Sequence, residues 1–354
     1  MSMNYYVPTG TILKEYLEAN NITQKALAEK LGSSEKYVSN LINGEAKMTE
    51  KVAIALEKIF TDVQAKFWLD IESNYRLSLA REEENNEKEL ENVGEIAKKY
   101  KFKEVFKGLN WPLEKQYDEM LKILKIKSFR EVDERWAKLN PSFMQDGGDN
   151  EPILVWLSLC EEQIEIKDND IGQNKFDVNE LAKRIPDFKR IVYTENFEQA
   201  IQNLRIMCKR LGIYFVCEEA ISGSKVRGAT TTYNGIPAIY ISKRLRYLDV
   251  IWFAFFHELG HLINDYNQEE TMISFVDENE ETLNEKEKRA NKFARENLIN
   301  IDDYNNFVDK NIFNENSILK FAKNQKVIAG IIIAFLQHDG KLDWNQFVGL
   351  KAKV

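Results

Sequence analysis

Cysteine, histidine, proline and glycine are scarce in this chain of 354 residues, which holds three, three, six and sixteen of them respectively. Cys160, Cys208 and Cys217 leave one over from any pairing and never fall in a CxxC pattern. That excludes a disulfide framework and a cysteine zinc site, and the three are expected as buried thiols. So few glycines and prolines, beside abundant Glu, Lys, Leu, Ile and Asn, favour helices over a large sheet protein. Long apolar runs are missing too. The late stretch Val327 to Phe335 is about half of the roughly 20 residues a membrane helix requires, so it reads as core and no membrane partner is expected. Residues 1–10 lack the charged start and apolar stretch of a secretory leader, from which a cytoplasmic location is expected. Positive charge is in deficit: the formal net charge of -8 excludes histone-like electrostatic binding of nucleic acid, so any DNA contact has to be local.

What is present suffices for globular domains. Hydrophobic residues at 44% and charged residues at 30% exclude wholesale disorder and a fibre. At roughly 100 to 200 residues per domain the length predicts two or three domains. The fold class expected is mainly α with a C-terminal α+β part. Residues 1–80 read as a helical bundle, 81–195 as a helical connector and 196–354 as the α+β domain.

The first 80 residues carry four short helices with their punctuation. Ile12, Leu13, Tyr16 and Leu17 recur at helical spacing over Thr11 to Asn20. Thr23 is placed to cap a helix over Gln24 to Leu31, and Gly32 to end it. Ser33 or Ser34 caps the next, Glu35 to Ile42, which Asn43-Gly44 stops; Thr49 caps a fourth through Phe60. Two short helices around a Gly-containing turn form the plan of a helix-turn-helix module, whose second helix reads base edges. Here Ser34, Lys36, Tyr37 and Asn40 are expected to point outward. Gln24 is placed to touch phosphate or base, and Asn43 and Lys47 to approach the backbone. The segment holds nine Lys and Arg against ten Asp and Glu, a net of -1. A module without basic surplus is expected to bind double-stranded DNA as a homodimer, on a palindromic operator.

The run Arg81 to Glu91 is dominated by Glu, Asn and Lys and reads as a solvated helix face or linker. Periodicity then predicts further helices, among them Tyr117 to Ile126 and Val132 to Leu139, with a turn-rich interruption at Asp146 to Asn150. No chemistry shows in this stretch. After it come a helix near Phe197 to Leu211, a strand Ile213 to Val216, a segment Lys225 to Tyr233, a hairpin signal at Asn234-Gly235 and a strand Pro237 to Ser242. That last strand is a candidate cleft edge, to which an extended peptide would add.

His257-Glu258-Leu259-Gly260-His261 is an HExxH sequence on a helix expected to begin near Asp249. Histidines four apart share one helix face, which lets two imidazoles take one Zn2+ ion, while Glu258 is placed as general base. A hydrolytic zinc site takes a third protein ligand. Asn264 and Asn267 occupy the Gly and third-His positions of the longer HExxHxxGxxH pattern, which excludes that class. A later carboxylate is needed, from Glu269, Glu270, Glu278, Glu280, Glu281, Glu285 or Glu287. Leu283, Glu287, Ala290, Ala294 and Leu298 form one stripe at three and four spacing, so Glu287 is the acid on an apolar face and the expected ligand. Glu285 sits with Lys288, Arg289 and Lys292 and reads as solvated. Asn291, one turn beyond Glu287, is expected to orient a ligand. Tyr233, Tyr240 and Tyr266 are open candidates for a transition-state donor. His338, in a polar turn, reads as structural.

Two resemblances follow from these residues. Thr23-Gln24-Lys25-Ala26-Leu27-Ala28, Leu31-Gly32-Ser33, Tyr37-Val38-Ser39 and Leu41-Ile42-Asn43-Gly44 resemble the helix-turn-helix of phage-repressor-like regulators, more narrowly HigA-type antidotes, over about 70 residues. Ala238-Ile239-Tyr240-Ile241-Ser242, Trp252-Phe253-Ala254-Phe255-Phe256, the HELGH itself and Glu287-Lys288-Arg289-Ala290-Asn291-Lys292-Phe293-Ala294 resemble the ImmA/IrrE metallopeptidase family. With Gly330 to Gly340 and Leu350-Lys351 that likeness extends over about residues 200–354. It implies zinc, a gluzincin-like site with Glu287 as third ligand, and site-limited cleavage of repressor proteins. Where many relatives carry a further His shortly after HExxH, this chain has Asp265, so substrate contacts are expected to differ.

The function expected is therefore a DNA-binding, antitoxin-like transcription regulator with a zinc-dependent endopeptidase domain that cuts a repressor or toxin-system partner. The alternative is a non-proteolytic regulator whose zinc domain is a sensor or protein-binding platform. A free-standing degradative protease has no use for a DNA-reading head.

Overall fold

A computed structural model describes residues 7–142, 148–167, 171, 174–194, 196–275 and 284–354, with the side chains of 82–91 and 142 left aside. Leu283, Glu278, Glu280, Glu281, part of the turn at 146–150 and the side chains of most of the 81–91 charge run lie outside the described residues. The chain divides into two compact units, Met1–Asn92 and Val93–Val354. Residues 93–195 thus share a unit with residues 196–354, and a helix runs through the boundary expected at residues 80 and 81.

The first unit contains α1 (Thr9–Ala19), α2 (Gln24–Leu31), α3 (Glu35–Ile42), α4 (Glu50–Ile59) and α5 (Ala65–Glu91). Three start as their polar caps dictate: the side chains of Thr23, Ser34 and Thr49 accept hydrogen bonds from the backbone N–H groups of Ala26, Tyr37 and Val52. Gly32 ends α2 in the left-handed region, at φ 59°. Leu13, Leu17, Leu27, Val38, Leu41, Leu56 and Trp68 fill the core. Gly10 is the closest crossing: a Cβ there would lie 2.0 Å from the carbonyl oxygen of Ile42, so only glycine lets α1 meet the end of α3.

The second unit begins with α6 (Val93–Lys99), α7 (Phe102–Val105), α8 (Leu113–Leu124), α9 (Val132–Leu139), β1 (Pro141–Ser142), α10 (Asn150–Lys167), α11 (Val178–Val192) and α12 (Phe197–Arg210). It continues with β2 (Tyr214–Glu218), β3 (Val226–Tyr233), β4 (Ile236–Ser242), α13 (Leu248–Asn264), β5 (Thr271–Phe275), α14 (Glu285–Leu298), α15 (Ile301–Asp309), α16 (Glu315–Gln325) and α17 (Ala329–His338). The strands form one mixed sheet in the order β1-β5-β3-β4-β2. Asn234 and Gly235 turn the β3–β4 hairpin with φ of 50° and 78°, as that dipeptide predicts.

Each face of the sheet is covered by helices. Tyr214, Val216, Ala238 and Tyr240 join the core that includes Ile153 to Leu157 of α10, while Phe215, Cys217, Ile239 and Ile241 join the core that includes Trp252, Phe255 and Leu259 of α13. Alternation along β2 and β4 therefore splits two buried layers rather than core from solvent. On the α10 side Arg135 holds Glu161 through two contacts of 2.7 Å, and Lys125 pairs with Glu161 at 3.0 Å and Glu165 at 2.7 Å. Residues 237–242, expected at a cleft edge, are instead interior: β4 pairs antiparallel with β3 and parallel with β2, leaving no free backbone row for a peptide. Pro237 is tolerated because pairing with β2 starts one residue later, at Ala238. Among the described residues no helix is long and apolar enough to cross a membrane. All three cysteines are buried free thiols.

Candidate functional site

The helix α13 is apolar nearly all round and almost wholly buried, so its few polar groups need partners inside the protein. Asp249, in its first turn, receives Lys351 Nζ at 2.7 Å, and Gly330 presses so close that a Cβ would lie 2.9 Å from its carboxylate. Two turns on come His257, Glu258 and His261, with exposures of 0%, 0% and 1%. A close helix faces them. Asn284 caps α14 by accepting from the backbone N–H of Glu287 at 2.9 Å, which sets Glu287 in the first turn. Gly260 lets α14 approach, because a Cβ there would meet Ala290 Cα at 3.1 Å.

His257, His261 and Glu287 converge. The two Nε2 atoms lie 3.0 Å apart, and the Glu287 oxygens lie 3.0 Å from Nε2 of His257 and 3.1 Å from Nε2 of His261. The far sides of both rings are fixed: Nδ1 of His257 is 2.8 Å from Asn291 Oδ1, and Nδ1 of His261 is 3.4 Å from Asp265 Oδ2. An N–H on each Nδ1 leaves each Nε2 with a lone pair aimed at the other and at the carboxylate. Glu287 Oε2, though 3.0 Å from an imidazole nitrogen, makes no hydrogen bond of acceptable geometry. Such an arrangement repels itself unless a cation stands between the three. Tetrahedral zinc with bonds of about 2.0 to 2.2 Å would hold its donors about 3.3 Å apart, close to what is found. The donor set fits a divalent ion.

The electrostatics separate the two rings. Burial, helped by the nearby Arg227 cation, pushes His257 down to about 3, so that ring is neutral. Burial would also depress His261, but Asp265 and Glu287 outweigh it and raise that ring. Against burial, the two imidazoles hold the Glu287 carboxyl far below its usual range. Glu258 is different: burial lifts it to about 7, partly offset by the nearby His261 ring and by hydroxyl donation from Ser274 and from Thr230, the latter at 2.8 Å. A carboxyl titrating near neutrality is matched to taking and returning a proton.

Two groups beside the centre carry no signal in the motif. Asp265 is only 3% exposed and is also paired with Arg289; its spacing of four from His261 is the clue the sequence held. Arg227 lies at a β-bulge: Val226 pairs with Phe275 and Gly228 with Ser274, which leaves Arg227 as the extra residue. Its Nη2 reaches 3.2 Å from Nδ1 and 3.4 Å from Nε2 of His257. Of the tyrosines considered as donors, Tyr233 bonds to Glu165 and Lys125, and Tyr240 is buried on the α10 face. The Tyr266 hydroxyl meets that of Thr232 at 2.9 Å. Glu270 is paired with Lys286, Glu269 and Glu285 are exposed, and His338 packs edge-on against Trp344.

In the first unit Gln24, Ser34, Lys36, Asn43 and Lys47 are exposed. Tyr37 and Asn40, expected to point outward with them, are half-buried. Tyr37 packs against the helical core, and with the Asn40 amide assigned so that its nitrogen faces acceptors, it donates to Glu45 at 3.1 Å and to the Lys36 carbonyl at 3.2 Å. The carbonyl of Asn40 accepts from the backbone N–H groups of Glu45 and Ala46, so this residue closes the loop after α3.

Residues 13–63 match the Helix-turn-helix family. The chain is 37% identical over 89 residues to an Escherichia coli K12 protein named as the uncharacterized HTH-type transcriptional regulator YbaQ, covering 25% of this chain and 75% of that one. It is 46% identical over 67 residues to antitoxin HigA-1 of Vibrio cholerae, covering 19% and 62%. A solved structure of Pseudomonas aeruginosa antitoxin HigA with the higBA promoter is similar at 32% identity with a TM-score of 0.21, covering 25% of this chain and 92% of that chain. Through its N-terminal helices the chain belongs to the helix-turn-helix regulators of the HigA and YbaQ kind.

Proposed function

We propose that this protein is an antitoxin-like transcription regulator that binds operator DNA as a homodimer, and that its second unit is a zinc-dependent endopeptidase of the ImmA/IrrE kind, working in the cytoplasm. The names of its relatives, and the exposed Gln24, Ser34, Lys36, Asn43 and Lys47 around a capped second helix, support the DNA-binding half. The peptidase half rests on one observation, the convergence of His257, His261 and Glu287 beside Glu258. The substrate proposed is a repressor or a toxin-system partner protein.

His257, His261 and Glu287 would hold the zinc, with Asn291 and Asp265 keeping the two rings in the right tautomer. When bound, the ion supplies Lewis-acid polarisation of a peptide carbonyl and of water. Glu258 takes the proton of the attacking water as its oxygen bonds to the carbonyl carbon. It then gives that proton to the departing nitrogen as the C–N bond breaks. A second reading, a non-proteolytic sensor or protein-binding platform, is favoured by the two hydroxyls that engage the Glu258 carboxylate.

Metal analysis of the purified chain, with cleavage of co-expressed repressors and toxin partners followed with and without chelator, decides between them. The peptidase reading expects one zinc per chain and cleavage lost in Glu258→Gln while the metal stays. Zinc in both forms with cleavage in neither would overturn it in favour of the platform.

A further inference from the structure

The bulge in β3 changes which side chains face α13. Val226 and Ala229 both belong to the core on the α10 side, three residues apart, where an unbroken strand would send them to opposite faces. Arg227 and Gly228 consequently both face α13. Gly228 lies against the Glu258 carboxylate and Arg227 against the His257 ring. Phe253, one turn before His257, carries the guanidinium over its ring at 5.6 Å, which limits where the head group can go.

We propose that Arg227 is the oxyanion-binding residue of the metal centre, donating to the oxygen that becomes negative as a peptide carbonyl is attacked. This rests on the zinc-peptidase reading of the same site. Arg227 Nη2 is already within 3.4 Å of Nε2 of His257, the atom whose lone pair faces the centre. None of Tyr233, Tyr240 and Tyr266 comes within bonding distance of the His257, His261 and Glu287 group by any described contact, whereas Arg227 does. As the water oxygen adds to the carbonyl carbon, the C=O electron pair moves onto oxygen and the water proton passes to Glu258. The arginine is altered in neither bond nor charge.

The test uses the full chain loaded with cobalt(II), titrated with inorganic phosphate as a tetrahedral oxyanion and read by its visible spectrum. Arg227→Met is expected to bind cobalt within about threefold of the parent but phosphate about ten- to a hundredfold more weakly, the loss of one charge-assisted contact. Arg227→Lys is expected to recover part of that loss, and it serves as the reference should the methionine variant misfold. Equal phosphate affinity in all three cobalt-loaded forms would overturn the role of Arg227 and leave the metal reading standing. Failure of the parent chain to bind cobalt would overturn both.

Discussion

Gly228 faces Glu258 so closely that a Cβ on the glycine would lie 2.6 Å from Oε1 of the carboxylate. The backbone of β3 cannot retreat, because strands pair on both its sides. Gly228→Ala is therefore expected to displace the carboxylate and to cost about 1 to 3 kcal/mol of stability by overpacking. Urea unfolding of Gly228→Ala, of Glu258→Ala and of the double variant checks this. The alanine at 228 should cost less once Glu258 is shortened, whereas additive effects would show that the two do not interfere.

Asn291 and Asp265 hold the rings of His257 and His261 from behind. Asn291→Ala and Asp265→Ala should each lower zinc affinity by about ten- to a hundredfold while leaving the helical signal unchanged. Competition against a fluorescent chelator measures it. Unchanged affinity in both would mean that the rings are positioned by packing alone.

In the DNA-binding unit Lys36 and Asn40 should separate by readout. Lys36→Ala, altering an exposed cation, is expected to weaken operator binding and to reduce the slope of log affinity against log salt by about one, with melting unchanged. Asn40→Ala, by loosening the loop after α3, should cost about 1 kcal/mol of stability as well. Shift assays at several salt concentrations, paired with thermal melts, distinguish the two.

Asp339 accepts from Arg295 at 2.9 Å and from the Tyr304 hydroxyl at 2.7 Å. Partial burial alone would raise its pKa, but these two donors hold it below the usual carboxylate value. Its folded value being the lower, the stabilisation is fully present above about pH 4 and is lost as pH falls through the folded value. Asp339→Asn should thus be less stable than the parent at pH 7 by about 1 kcal/mol. The gap should close as pH falls below about 4 in urea titrations; a gap constant with pH would rule the ion pair out as its source.

Local signals were legible and long-range pairing was not. Thr23, Ser34 and Thr49 cap α2, α3 and α4 where their side chains suggest, since a cap depends on residues two or three positions away. The i, i+4 histidines and the acid on an apolar stripe likewise depend on helix periodicity, and the structure brings them within 3.1 Å. Strand order depends on partners far along the chain, and nothing within Pro237 to Ser242 tells that β2 will cover its other edge. Arg227 was invisible for a related reason: a bulge is a mismatch between two strands, not a property of either. Asn40 is half-buried because it closes its own loop, a contact that helix periodicity does not show.

The buried pair of Asp249 and Lys351 joins residues about a hundred apart in sequence, and the earlier one heads the helix bearing both imidazoles. At roughly 5 to 20 residues per second of synthesis, the ribosome leaves that acid without its cation for about 5 to 20 s. An uncompensated carboxylate under a hydrophobic layer keeps the start of the helix loose during that interval. The helix bearing both imidazoles would accordingly lock later than the N-terminal helices, whose buried core partners all lie between residues 13 and 69.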